Sequence, residues 1–175
     1  VGRYRKGFVS VLPTVYIETT IPSILAARPS KDPIIAGQQA VTRQWWDDRR
    51  SAFRLFVSDF VLQEASKGNP EVAARRLQVL ESIPELEVDG ESMALAARIL
   101  ESGVIPPKAG TDAAHVALAS RHNVDYLLTW NCRHIANAEI IKSLELIVAK
   151  AGLCAASLVH PIRTTRRSER CLTIR

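Results

Sequence analysis

An α/β fold with a mostly parallel central sheet is what this sequence predicts, and three observations lead there. Short apolar runs of strand length alternate with helical patterns along the body of the chain, as βα units require. The clearest run, residues 124–129, is β-branched, aromatic and apolar enough for a sheet interior. At 175 residues and 47% hydrophobic, the chain has the apolar mass to bury the core of one ordinary domain.

The elements follow in order. Thr14–Ile17 reads as the first strand, and residues 21–25 as a turn or helix start with Pro22 suited to a first helical turn. Residues 38–52 carry Trp45, Trp46 and several Arg and Asp residues at helical spacing. Residues 53–58 form the second strand; Asp59 is a plausible N-cap for a short helix that carries Glu64 and ends near Gly68. Pro70 opens a helix over 71–82, and residues 85–88 are a short strand. Residues 91–102 form an Ala-rich helix closed by Gly103, and a Pro-Pro loop over 105–110 follows. Thr111 then caps a helix over 112–121, residues 124–129 return to strand, and 138–151 is the last clear helix. Beyond Gly152 periodicity fades; an irregular tail is favoured over a weak strand at 157–160.

The formal charge of +5 suggests a nucleic-acid partner until its location is considered. Residues 1–6 contribute +3 and residues 160–175 contribute +4; subtracting those seven charges from +5 leaves the body at −2. The basicity therefore sits on the tails and marks no binding face. Residues 1–13 read as a basic, disordered extension, 14–152 as the folded domain and 153–175 as a basic, irregular tail. The basic-then-apolar start resembles a signal peptide, but Ser10 and Pro13 break its apolar stretch and no small-residue cleavage site follows. With no run of about 18 apolar residues for a membrane span, the expectation is a cytoplasmic protein. Three cysteines without paired spacing suggest neither a disulfide framework nor a zinc site, and the Cys132–His134 pair reads as structural or incidental.

Four polar residues lie at the ends of apolar runs: Glu18, Glu64, Asp112 and Asn131. In a parallel sheet the functional cleft lies outside the strand C-termini. Glu18 and Asn131 directly follow strands, Glu64 sits in the first helix after a strand, and Asp112 opens a helix antiparallel to its strand. All four are thereby directed to one edge. Carboxylates this close raise one another's pKa unless a cation joins them, and oxygen-only ligands select Mg²⁺ or Mn²⁺. Such a site suits phosphodiester hydrolysis, because the ion supplies an activated water and stabilises phosphoryl charge. Each residue also has a plainer reading: Glu64 as solvated surface, Asp112 as a helix-dipole partner, Asn131 as a turn residue. Glu18 is the hardest to dismiss, since a charge directly after an apolar strand needs a reason.

The motifs around Glu18 (Val15-Tyr16-Ile17-Glu18-Thr19-Thr20-Ile21), Glu64, Asp112 (from Thr111 to Ala119) and Asn131 (from Tyr126) together resemble the PIN domain. More narrowly, they resemble VapC-type toxins of bacterial type II toxin–antitoxin pairs. The resemblance spans about residues 14–150. It implies a three-layer α/β/α sandwich and a Mg²⁺- or Mn²⁺-dependent ribonuclease whose acids fall on Glu18, Glu64 and Asp112, with Asn131 at the variable fourth position. It also implies a supporting hydroxyl at Thr129, homodimerisation, and inhibition by a cognate antitoxin. Three positions depart from the pattern. Glu18 stands where Asp is usual and reaches about 1.5 Å further, Thr20 stands where Asn or Ser is common, and Asn131 replaces a frequent acid. His115, three residues past Asp112, either touches the site or sits satisfied beneath the sheet edge. Arg133 and His134 are candidates for RNA phosphate contacts or simple surface. Trp45 and Trp46 cannot share one core face, so one packs and the other is left for a partner subunit, an antitoxin or a base.

Three functions compete on this sequence. The first is a metal-dependent endoribonuclease acting as a toxin. The second is a PIN-fold RNA- or protein-binding protein with weak or no nuclease activity. The third, an enzyme acting on a small phosphorylated substrate, is disfavoured by the absence of a Gly-rich phosphate loop.

Overall fold

The computed structural model describes residues 12–161. The strands are β1 (Thr14–Ile17), β2 (Arg54–Ser58), β3 (Glu85–Leu86), β4 (Tyr126–Leu128) and β5 (Ser157–Val159). The helices are α1 (Thr20–Ala26), α2 (Pro33–Asp48), α3 (Asp59–Ala65), α4 (Pro70–Leu80), α5 (Gly90–Glu101), α6 (Gly110–Arg121) and α7 (Ala138–Lys150). The strands form one sheet in the order β3-β2-β1-β4-β5, and every pairing is parallel. Helices cover it in a three-layer α/β/α sandwich.

β1 is central, and its residues Val15, Tyr16 and Ile17 are fully buried, as expected of a strand covered on both faces. Tyr16 aligns with Phe56 on one side and Leu127 on the other. The chain runs outward from β1 through β2 to β3, then crosses back to β4 on the opposite side. The connections therefore diverge between β1 and β4, and the C-terminal edge at that point is where such sheets form a crevice. At the opposite end, Thr14 donates to Asp125 Oδ2 through both its backbone nitrogen and its hydroxyl at 2.7 Å. The start of β1 is thereby tied to the turn before β4.

α6 is the most deeply set helix, with Ala113 through Ser120 all buried. Its small residues allow close packing against α5, in which Leu95, Ala96 and Ile99 are buried. Trp45 is the tryptophan that enters the core, packing on Phe53 at 5.8 Å between ring centroids. Trp46 is partly exposed, with Arg50 over its ring.

Several boundaries differ from the sequence reading for identifiable reasons. α2 begins at Pro33 because Asp32 accepts hydrogen bonds from Ile34 N and Ile35 N, with proline at the first helical position. It ends at Asp48, and a separate 3₁₀ turn spans Arg50–Ala52. Thr111 does not cap α6: a 3₁₀ turn at Pro107–Ala109 runs straight into the helix, which begins at Gly110 without a side-chain cap. Asp59 lies in the first turn of α3, and Ser58 holds the N-cap position. β3 is only two residues long and β4 three, shorter than the runs suggested.

The stretch after Gly152, read as an irregular tail, contains an edge strand. Leu127 aligns with Leu158 and Leu128 with Val159, and Thr129 N donates to Val159 O at 3.0 Å. Three residues are too few to show periodicity; their order comes from the ladder offered by β4. The basic N-terminal extension through residue 11, and the Arg-rich end from residue 162, lie outside the described residues. Among the described residues no helix is long and apolar enough to cross a membrane.

Candidate functional site

Glu18 leaves β1 at the crevice, and its backbone N–H still donates to Leu128 O on β4 at 3.1 Å. The residue is 4% exposed. Its Oε2 accepts from Thr20 Oγ1 at 2.5 Å, Thr129 Oγ1 at 2.7 Å and Thr20 N at 3.1 Å. Three donors on one oxygen hold the carboxylate in place and leave Oε1 without a partner among the described residues. Both threonines also tie down the neighbouring backbone. Thr20 Oγ1 accepts from Trp130 N, and Thr129 Oγ1 accepts from Asn131 N, each at 2.8 Å.

Glu64 reaches the same edge from α3. Its Oε2 accepts from Thr19 Oγ1 at 2.5 Å and meets His115 Nε2 at 3.2 Å, while Oε1 again has no partner among the described residues. Partial burial raises the Glu64 carboxyl, but the hydrogen bonds from His115 and Thr19 outweigh it, so its pKa lies below the ordinary value. His115 is completely buried on α6. Its Nδ1 lies 2.8 Å from Tyr16 Oη, which lies 2.6 Å from Ser58 Oγ. Burial drives the Tyr16 phenol far above its ordinary pKa; the Ser58 hydrogen bond opposes this, and the charges of Glu18 and Glu64 add to it.

One potential ligand atom from each of Glu18, Glu64 and His115 lies within 4.8 Å of the others. Two carboxylates, each with one oxygen held by the protein and the other unpartnered, suit a divalent cation. The His115 imidazole stands beside them, a nitrogen that the oxygen-only expectation did not include.

The other expected residues are placed differently. Asp112 sits in the first turn of α6, and its Oδ2 is engaged by His134 Nδ1 at 2.8 Å. It is not one of the three clustered groups. Asn131 acts within the turn after β4: its side-chain oxygen accepts from His134 N at 3.0 Å, and its carbonyl accepts from Ile135 N and Ala136 N. Asn131 thus shapes the turn that brings His134 to Asp112. Arg133 is exposed on that turn, as is Cys132.

Sequence reasoning named Thr129 as a supporting hydroxyl, singled out Thr20 as a departure from the family pattern and left His115 between the site and the core; it missed Tyr16, Ser58 and Thr19. The spacing carried part of the signal, since Tyr16 lies in β1 two residues before Glu18, and the alternation of a strand continued by one residue would bring the two to the same side of the sheet. No family model and no curated protein matches this chain.

Proposed function

We propose that the chain is a PIN-like, VapC-type metal-dependent endoribonuclease that hydrolyses RNA phosphodiester bonds as the toxin of a toxin–antitoxin pair. The observation that carries this reading is the convergence of Glu18, Glu64 and His115 at the C-terminal edge of an all-parallel sheet, beside the β1/β4 switch point. Glu18 and Glu64 would hold Mg²⁺ or Mn²⁺ through the oxygens that accept no hydrogen bond among the described residues. Such an ion lowers the pKa of water and offsets charge on phosphate oxygens. Thr20 and Thr129 hold Glu18, and Thr19 and His115 hold Glu64, so both carboxylates are oriented before any substrate arrives. Arg133, exposed beside the edge, is available to an RNA phosphate. The reading brings with it a cognate antitoxin, a homodimer and a cytoplasmic setting.

The test is cleavage of single-stranded RNA by the purified protein with Mn²⁺ or Mg²⁺. Cleavage is expected to stop in EDTA and to fall at least a hundredfold in Glu18→Gln and Glu64→Gln, the scale of losing a charge-stabilising group. Cleavage that persists in EDTA would sink the reading.

A second reading, a PIN-like binding protein with little catalysis, is favoured by one observation: the Asp112 carboxylate is taken up by His134. It predicts RNA or protein association without turnover, and no stabilisation by Mn²⁺.

A further inference from the structure

We infer that Tyr16 and Ser58 are positioning residues for this centre, acting through His115 on Glu64; the inference rests on the metal-dependent reading above. Ser58, Tyr16 and His115 are each 0% exposed and come from three elements, β2, β1 and α6. They form one continuous chain: Ser58 Oγ to Tyr16 Oη at 2.6 Å, Tyr16 Oη to His115 Nδ1 at 2.8 Å, and His115 Nε2 to Glu64 Oε2 at 3.2 Å. Three adjoining polar side chains inside an apolar core carry a desolvation cost that Phe, Ala and Leu would avoid. Among the described residues, the one group outside the core to which they hydrogen-bond is Glu64.

The proton arrangement that satisfies every member runs in one direction. Ser58 donates to the Tyr16 oxygen, and Tyr16 donates its single proton to His115 Nδ1. The imidazole proton then lies on Nε2 and is donated to Glu64 Oε2. This fixes both tautomer and ring orientation, as hydrogen-bond partners do for histidines at metal centres. It also commits Nε2 to donating. His115 therefore works through Glu64, holding Oε2 so that Oε1 remains the oxygen open to a cation, and is not itself a ligand.

The test uses Mn²⁺ as the probe, titrated calorimetrically into the folded protein without RNA. Tyr16→Phe removes one oxygen and keeps the ring, and should weaken Mn²⁺ binding about tenfold, the low end of the effect of losing an outer-shell partner. Ser58→Ala should weaken it less, in the same direction, and serves alone if Tyr16→Phe does not fold by circular dichroism. His115→Gln, which keeps an N–H near the Nε2 position, should bind Mn²⁺ more tightly than His115→Ala. Pulsed EPR of bound Mn²⁺ should show no directly coordinated nitrogen in wild type.

Directly bonded nitrogen lost in His115→Gln would overturn the inference, because His115 would then be a ligand. Unchanged affinity in Tyr16→Phe, or in Ser58→Ala where that variant stands alone, would overturn it, as would absence of Mn²⁺ binding by wild type at millimolar metal. The ribonuclease reading fails separately. Mn²⁺ binding that depends on Tyr16, without RNA cleavage, leaves the inference standing and removes that reading; cleavage with Tyr16-independent Mn²⁺ binding does the reverse.

Discussion

Replacing Thr129 with valine isolates the chemistry that holds Glu18 at the strand edge. The two side chains have nearly the same shape, so packing around this fully buried residue should survive the change. The hydroxyl makes two contacts: it donates to Glu18 Oε2 at 2.7 Å and accepts from Asn131 N at 2.8 Å. A hydrogen bond to a charged group contributes about 1.5–3 kcal/mol, and a buried polar group left without a partner costs about 1–3 kcal/mol. Thr20 still supplies two of the three bonds to Glu18 Oε2, which moderates the first effect. The loss should come to about 3 kcal/mol, or roughly 6–12 °C in melting temperature for a chain of this length.

Urea denaturation monitored by circular dichroism measures the loss. Thr129→Ser keeps the oxygen and should recover most of it. In a double-mutant cycle with Glu18→Gln, the two changes should cost less together than separately, because both disturb the same bond. A Thr129→Val protein within about 0.5 kcal/mol of wild type, the range of neutral surface changes, would refute the reasoning and show that the hydroxyl merely fills space.

Two further outcomes follow from particular residues. Gly37 lies inside α2 on its exposed face, and a Cβ there meets nothing within 4 Å; Gly37→Ala should stabilise the protein by about 0.5–1 kcal/mol in the same urea assay. The Glu64 carboxyl has its pKa lowered in the folded state, so its contribution is complete above the unfolded value of about 4.3 and is lost as pH falls through the folded value. The stability gap between wild type and Glu64→Gln should thus be widest near neutrality and close below about pH 4; a gap that widens in acid would contradict the sign.

The strands were legible where burial on both faces leaves a continuous apolar run, as in β1 and β4. The sheet order was not, because nothing local in β5 distinguishes it from loop; its three residues are ordered by hydrogen bonds to β4. For the site, the chain's punctuation was informative: a charge at the end of a buried strand located Glu18, and a short helix after a strand located Glu64. Asp112 and Asn131 were directed to the correct edge by topology, but topology fixes backbones and not rotamers. What His134 would do with the Asp112 carboxylate depends on a turn geometry that no spacing encodes. Tyr16 and Ser58 looked like ordinary strand residues, and their polar role emerges only when β1, β2 and α6 come together.

The way the two glutamates are stabilised bears on what they are for. Carboxylates within 4.8 Å of one another repel, and a fold that needed only stability could pair each with Arg or Lys. Among the described residues neither does so: Glu64 meets the His115 imidazole, and Glu18 has no ion-pair partner. Glu18 is held by two hydroxyls and one backbone N–H, and Glu64 by a hydroxyl and the imidazole. Hydroxyls and amides fix a carboxylate's orientation and offset its desolvation while leaving its charge uncancelled. A guanidinium would offset the same cost by neutralising the field. The sequence uses threonines at 19, 20 and 129, and so keeps a concentrated negative charge at the mouth of the β1/β4 crevice. That arrangement suits the cation proposed above, whose charge would offset theirs.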